Sequence, residues 1–173
     1  MVIVSIIAII VLIASFLGGA KEGAVRHFFS LVAVFIAIPL TGIAYKLLAT
    51  LLSFIPGENW ENFIGFFITF AIIIVMLHFI FLPPRKIIEK IWKKGCLFRI
   101  IGGLLNTFNA SIGLVVFYLV LREYPIIDWL ERAVIGSGVM VWLVNSLGFV
   151  AAMLPEEFGV AVNMVAVGLG VLL

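Results

Sequence analysis

The sequence predicts an all-α integral membrane protein. We expect four transmembrane helices, a basic amphipathic helix on the cytoplasmic side, and a C-terminal hydrophobic helical region that is either a fifth span or a re-entrant segment. Three observations predict this. Hydrophobic residues make up 65% of the 173 and charged ones only 12%, where soluble domains carry roughly 45–50% and ~25%. Uncharged runs recur at the length of about 20 residues that a helix needs to cross ~30 Å of hydrocarbon. Basic residues cluster on alternate connections between those runs, as they do in multi-pass proteins. A mean hydropathy of +1.34 excludes a water-soluble core of this length, which has no volume to hide so many Leu, Ile, Val and Phe side chains; lipid accepts them on every helix face.

Residues 1–20 form the first expected span. A signal peptide ending near Gly18-Gly19-Ala20 is the rival, but the run has no basic n-region and exceeds the usual 7–15 apolar residues. A second span covers 25–45, with a kink expected at Pro39, which lacks a backbone donor and crowds the preceding turn. Lys46 can snorkel outward from its end. Pro56-Gly57-Glu58-Asn59 reads as a turn, and Trp60 anchors the mouth of a third span over 62–81. Leu82-Pro83-Pro84 is expected to stop that span. A fourth follows over 100–121, between Arg99 and Arg122-Glu123. The helix expected over 126–154 contains 22 uncharged residues at 133–154, enough to span. Its Gly136, Ser137, Gly138, Asn145, Ser146 and Gly148 suit a packed, re-entrant or interfacial helix equally well. These elements form one membrane domain, 1–155, followed by a short hydrophobic tail, 156–173.

Charge sets the expected orientation. Lys21, Arg26, Arg85, Lys86, Lys90, Lys93, Lys94 and Arg99 fall on one side of a four-span chain, against Arg122 and Arg132 on the other. Short basic loops are retained in the cytoplasm. Segments 21–27 and 82–99 are therefore expected inside and the N-terminus outside. Within the second basic segment, Ile87, Ile88, Ile91 and Trp92 recur on one helical face, opposite Lys86, Lys90, Lys93 and Lys94. Such a helix lies on the anionic inner leaflet, each Lys contributing about 1 kcal/mol. It serves either as a topology marker or as a contact for lipid headgroups or a protein partner.

Catalysis at bilayer depth needs paired carboxylates, His clusters or an activated nucleophile, and the pattern offers none. His78 and His27 each stand alone near a span end, as packing residues do. Cys96 is the only cysteine, so neither a disulfide nor a zinc site is expected, nor any other metal or cofactor. Asn106 and Asn109 share a face of the fourth span, with Ser111 nearby. Amides facing lipid cost several kcal/mol, so they face other helices or a wet cavity. Gly19 and Gly23 form a GxxxG and Gly102-Gly103 a small pair; these four glycines are the expected helix-packing positions, with the first two spans crossing at Gly19 and Gly23.

The run Gly19-x-x-x-Gly23-x-Val25-Arg26-x-x-x-Ser30-Leu31 resembles the first-loop signature of the colicin V production protein (CvpA) family, in which a Gly-aromatic-basic-basic-Gly turn joins spans one and two. Arg99-Ile100-Ile101-Gly102-Gly103-Leu104-Leu105 resembles its second signature, and a Ser137-containing helix ending at Leu154-Pro155 is similar to its C-terminal segment. The resemblance covers 1–155. Lys21-Glu22 departs from the family's doubly basic pair, and Asn106 and Asn109 stand where relatives often carry Gly and Arg. The resemblance implies a bacterial inner-membrane protein of colicin V (toxin) production or export and envelope homeostasis, with no catalytic reaction. Beside it stand two other readings. One is a small channel or transporter subunit, homo-oligomeric around the polar face of the fourth span. The other is a scaffold recruiting a cytoplasmic partner through the basic helix. Nothing points to nucleic acid.

Overall fold

The computed structural model describes residues 2–52, 57–91 and 95–154, apart from the side chains of Glu58, Lys90 and Ile91. Every regular element among them is helical: α1 (Val2–Glu22), α2 (Ala24–Leu51), α3 (Glu58–Ile91), α4 (Cys96–Glu123), α5 (Asp128–Ile135), α6 (Gly138–Ser146) and α7 (Phe149–Ala152). The first four are long and apolar enough to cross a membrane, which makes this a multi-pass membrane protein. They cover the four segments expected as spans, over the described residues. Lipid leaves a backbone no partner but itself, so each run is driven into a helix that satisfies its own N–H and C=O groups.

The four long helices pack in the order α1, α4, α2, α3. Chain neighbours α1 and α2 meet only lightly, because α4 lies along α1 and against α2, while α3 packs along the other flank of α2. The order follows residue size. Where α1 crosses α4, a Cβ on Gly102 would lie 2.6 Å from the Gly19 carbonyl oxygen and 2.7 Å from the Gly23 carbonyl carbon, and one on Gly103 would lie 2.8 Å from the Phe16 ring. Between α2 and α3 an aromatic stack fills the space instead: Phe66, fully buried, has its ring 5.9 Å from that of Tyr45 and 5.7 Å from Phe67. Outer faces of α1 and α3 present Ile3, Ile7, Ile10, Val75, Met76 and Phe79 to lipid.

Three expectations are corrected. First, Gly19 makes its close approach to α4, not to α2. Gly23 packs no side-chain space at all: a Cβ there would meet nothing within 4 Å, and the residue is glycine because its φ of +93° is reached at low strain only without a side chain. Second, Leu82-Pro83-Pro84 does not stop the third helix. Helix α3 runs 34 residues, Pro83 and Pro84 inside it, about 50 Å at 1.5 Å per residue. The prolines remove the bonds to the carbonyls of Phe79 and Ile80, two residues on the exposed outer face, and a helix tolerates that where neighbours or water at the membrane rim satisfy the freed groups. Residues 85–91 are accordingly the last turns of α3 rather than a separate surface helix; Trp92, Lys93 and Lys94 lie outside the described residues. Pro39 likewise sits within α2 without ending it.

Third, the helix expected over 126–154 is three short ones. Ser137, fully buried, ends the first break: its side chain accepts from Met140 N and caps α6, and its Oγ is 2.8 Å from Ser5 Oγ near the start of α1. From there α6 and α7 run inward until Phe149 stacks on Phe35 and Phe108, 5.9 and 6.5 Å between centroids, near the middles of α2 and α4. With nine residues, α6 extends about 14 Å, under half the hydrocarbon thickness. Both α6 and α7 pack against α4, and α6 also against α1. The tail at 156–173 lies outside the described residues.

Candidate functional site

At the end of the bundle where α1 passes into α2, the helices splay around a cavity of about 180 Å³. The last turn of α1 supplies Glu22, the first turns of α2 supply Arg26, His27 and Ser30, the later half of α3 supplies His78 and Arg85, and α4 supplies Asn106. Phe29, Ala33, Ile74 and Phe81 form its apolar wall. Sequence spacing explains the local order: Glu22 and Arg26, four residues apart across the junction at Gly23, pair at 2.9 Å, and Arg85 gives its Nε to Glu89, one turn on along α3, at 2.9 Å. Each guanidinium has five N–H donors, so each retains several beyond these pairs.

His27 is the unusual member. It is 5% exposed, yet its Nε2 has no hydrogen-bond partner, although it sits 3.3 Å from a Glu22 oxygen. A buried polar atom without a partner costs about 1–3 kcal/mol, and its place on the cavity wall is where a further group would satisfy it. At the opposite end of the bundle polar contacts tie the helices shut: Tyr45 Oη lies 2.8 Å from Tyr124 Oη, and Asn59 Nδ2 donates to the Pro125 carbonyl at 3.1 Å. The molecule is thus closed at one end and indented at the other.

The residues singled out in the sequence fall in several places. Asn106 Nδ2 donates to the Ser15 carbonyl on α1 at 2.7 Å, and Asn109 Nδ2 donates to Ser30 Oγ on α2 at 3.0 Å, so the shared face of α4 bridges two different helices. Asn109 Oδ1 is buried without a partner. Ser111 turns back on its own helix, Oγ donating to the Thr107 carbonyl at 2.9 Å. Lys86 is exposed on α3 outside the cavity, as Cys96 is exposed at the start of α4. The side chains of Lys90, Lys93 and Lys94 lie outside the described residues. Sequence reasoning missed the cluster of Glu22, Arg26, His27, His78 and Arg85, having weighed the two histidines singly. The available signal was the pair of i,i+4 ion pairs, Glu22 with Arg26 and Arg85 with Glu89, in two segments expected at one membrane face. Among the described residues no group of His, Cys, Asp and Glu has the spacing to hold a metal ion.

Neither the curated proteins nor the solved structures contain a match to this chain. The sequence model of one family does match, and it covers residues 4–148, from the first turn of α1 to the end of α6. Nearly all of the four long helices and the whole glycine crossing lie within that match, with α7 beyond it: this chain belongs to the colicin V production protein family.

Proposed function

We propose that the protein is a non-catalytic factor of the bacterial inner membrane, serving colicin V production or export and, more broadly, envelope homeostasis. The family match over residues 4–148 carries this reading, and the four membrane-crossing helices support it. The protein is expected to restore colicin V release in a strain that carries the toxin determinant but lacks its own member of the family. Growth inhibition around colonies on a sensitive lawn measures that release. Colonies that release no more toxin than the empty-vector control would remove the basis of the reading.

In this reading Gly19, Gly102 and Gly103 are packing positions, Asn106 and Asn109 join helices, and Lys86, Lys90, Lys93 and Lys94 meet headgroups of the inner leaflet. The eight-to-two distribution of basic residues supports an N-terminus outside and the basic connections inside. In a Cys96→Ser background, Glu58→Cys should react with an impermeant maleimide in intact cells and Lys86→Cys only after permeabilisation. The opposite labelling would invert the orientation. The channel alternative would show itself as solute flux into liposomes bearing the protein. Because Asn106 and Asn109 each already donate an amide N–H to a neighbouring helix, the packing role is the one we favour.

A further inference from the structure

We propose that the cavity at the basic end is a binding site for a phosphate group, supplied by an anionic phospholipid or as a free anion. Three features on its wall point there. Arg26 and Arg85 come from different helices and face one space; guanidinium groups bind phosphate oxygens through paired, charge-assisted hydrogen bonds. His27 presents a buried nitrogen that makes no well-formed hydrogen bond, its Glu22 neighbour standing at 3.3 Å, and it is a donor to phosphate when the proton is on Nε2. The cavity holds about 180 Å³, room for roughly six waters at ~30 Å³ each, which suits a headgroup fragment rather than a single solvent molecule.

The carboxylate of Glu22 occupies part of this position at present, between Arg26 at 2.9 Å and His27 at 3.3 Å. It holds that position weakly. Glu22 ends α1, where the negative end of the helix dipole disfavours a carboxylate, and its side chain is 39% exposed, so it is free to swing out as a stronger anion arrives. Exposed single ion pairs of this kind add little to stability. Phe29, Ile74 and Phe81 give the cavity an apolar side, so a phosphate carried on acyl chains is accommodated as well as a free one. The site does not depend on the part the protein plays in toxin release.

Native mass spectrometry of the full chain in dodecyl maltoside tests the site, with three probes: phosphatidylglycerol, diacylglycerol as the same chains without phosphate, and sodium phosphate as competitor. Phosphatidylglycerol should be retained and diacylglycerol not. The Arg26→Gln/Arg85→Gln variant should lose retention by about tenfold or more, Glu22→Gln should bind as tightly as the native chain or tighter, and Arg132→Gln, exposed on α5 and outside the cavity, should stay within about twofold. Sodium phosphate that displaces the lipid, or that alone raises the melting temperature of the native chain but not of the double variant, identifies the free anion as a ligand of the same site. The proposal is overturned if diacylglycerol is retained as well as phosphatidylglycerol. It is equally overturned if the double Arg variant, shown folded by its circular dichroism, binds like the native chain, or if Arg132→Gln costs as much as the Arg pair.

Discussion

Gly102→Leu should prevent α1 from docking and leave little folded protein after detergent extraction. Even the first added carbon meets main chain on three sides: the Gly19 oxygen at 2.6 Å, the Gly23 carbonyl carbon at 2.7 Å and the Ala24 nitrogen at 2.9 Å. Main chain cannot rotate away as a side chain can, so α1 must retreat as a rigid rod. In lipid that retreat is costly for a particular reason. Helices gain no hydrophobic free energy on association there, and close van der Waals contact is most of what holds them. Overpacking costs about 1–3 kcal/mol in forgiving sites and more where nothing can yield; this site belongs to the second kind. Gly103→Ala should be milder, since two of its three nearest atoms belong to the Phe16 ring, which can tilt. Gly113, on the same helix, has nothing within 4 Å of its would-be Cβ, and Gly113→Ala should leave the protein unchanged. Size-exclusion profiles and protease resistance in detergent read all three. A Gly102→Leu protein that elutes and resists protease like the native chain would show that the α1–α4 contact is not close.

Phe66→Ala is expected to loosen the α2–α3 pair by about 2–3 kcal/mol, the cost of an empty volume of order 100 Å³ at ~24 cal/mol per Å³. In a soluble protein the loss would be larger, because the deleted ring would also forfeit its transfer out of water; here both folded and dissociated helices are surrounded by apolar matter. Only the unfilled volume counts. Phe66 is fully buried and its ring is shared by Tyr45, Phe67 and Phe70, with centroids 5.9, 5.7 and 6.4 Å away, so no single neighbour can collapse into the gap. Phe66→Leu should recover most of the loss. Unfolding in mixed micelles with rising sodium dodecyl sulfate measures both. Equal midpoints for the native chain and Phe66→Ala would mean that α3 is held by something other than this stack.

The spans were legible because hydrocarbon thickness imposes a length that uncharged runs reveal directly. Proline was the misleading sign. In water Pro83-Pro84 would end a helix, but the sequence does not show that the carbonyls they free belong to Phe79 and Ile80 on the exposed outer face. The C-terminal region misled in the opposite direction. Its apolarity suited a span of 22 residues, while the break at Gly136-Ser137 depends on Ser137 finding Ser5, 132 positions away. Long-range partners of that kind leave no local trace. The same holds for Gly19, whose smallness announced a close crossing without naming α4 as the helix crossed. The cavity was hidden for a further reason: no one segment holds more than four of its polar groups, and Glu22, Arg26 and Arg85 each have an innocuous partner only four residues away in the chain.

The order α1, α4, α2, α3 also has a bearing on biosynthesis. During translation the first helix enters the bilayer long before its partner exists, since about a hundred residues separate the ends of α1 and α4; at ~5–20 residues per second that is roughly 5–20 s. Through that interval α1 must persist alone in lipid while α2 and α3 pair beside it. Its composition suits the wait. It is the most apolar and least buried of the four spans, and a ribosome delayed within the segment encoding α4 would leave behind a stable α2–α3 hairpin and an orphan first helix, a natural substrate for membrane proteases.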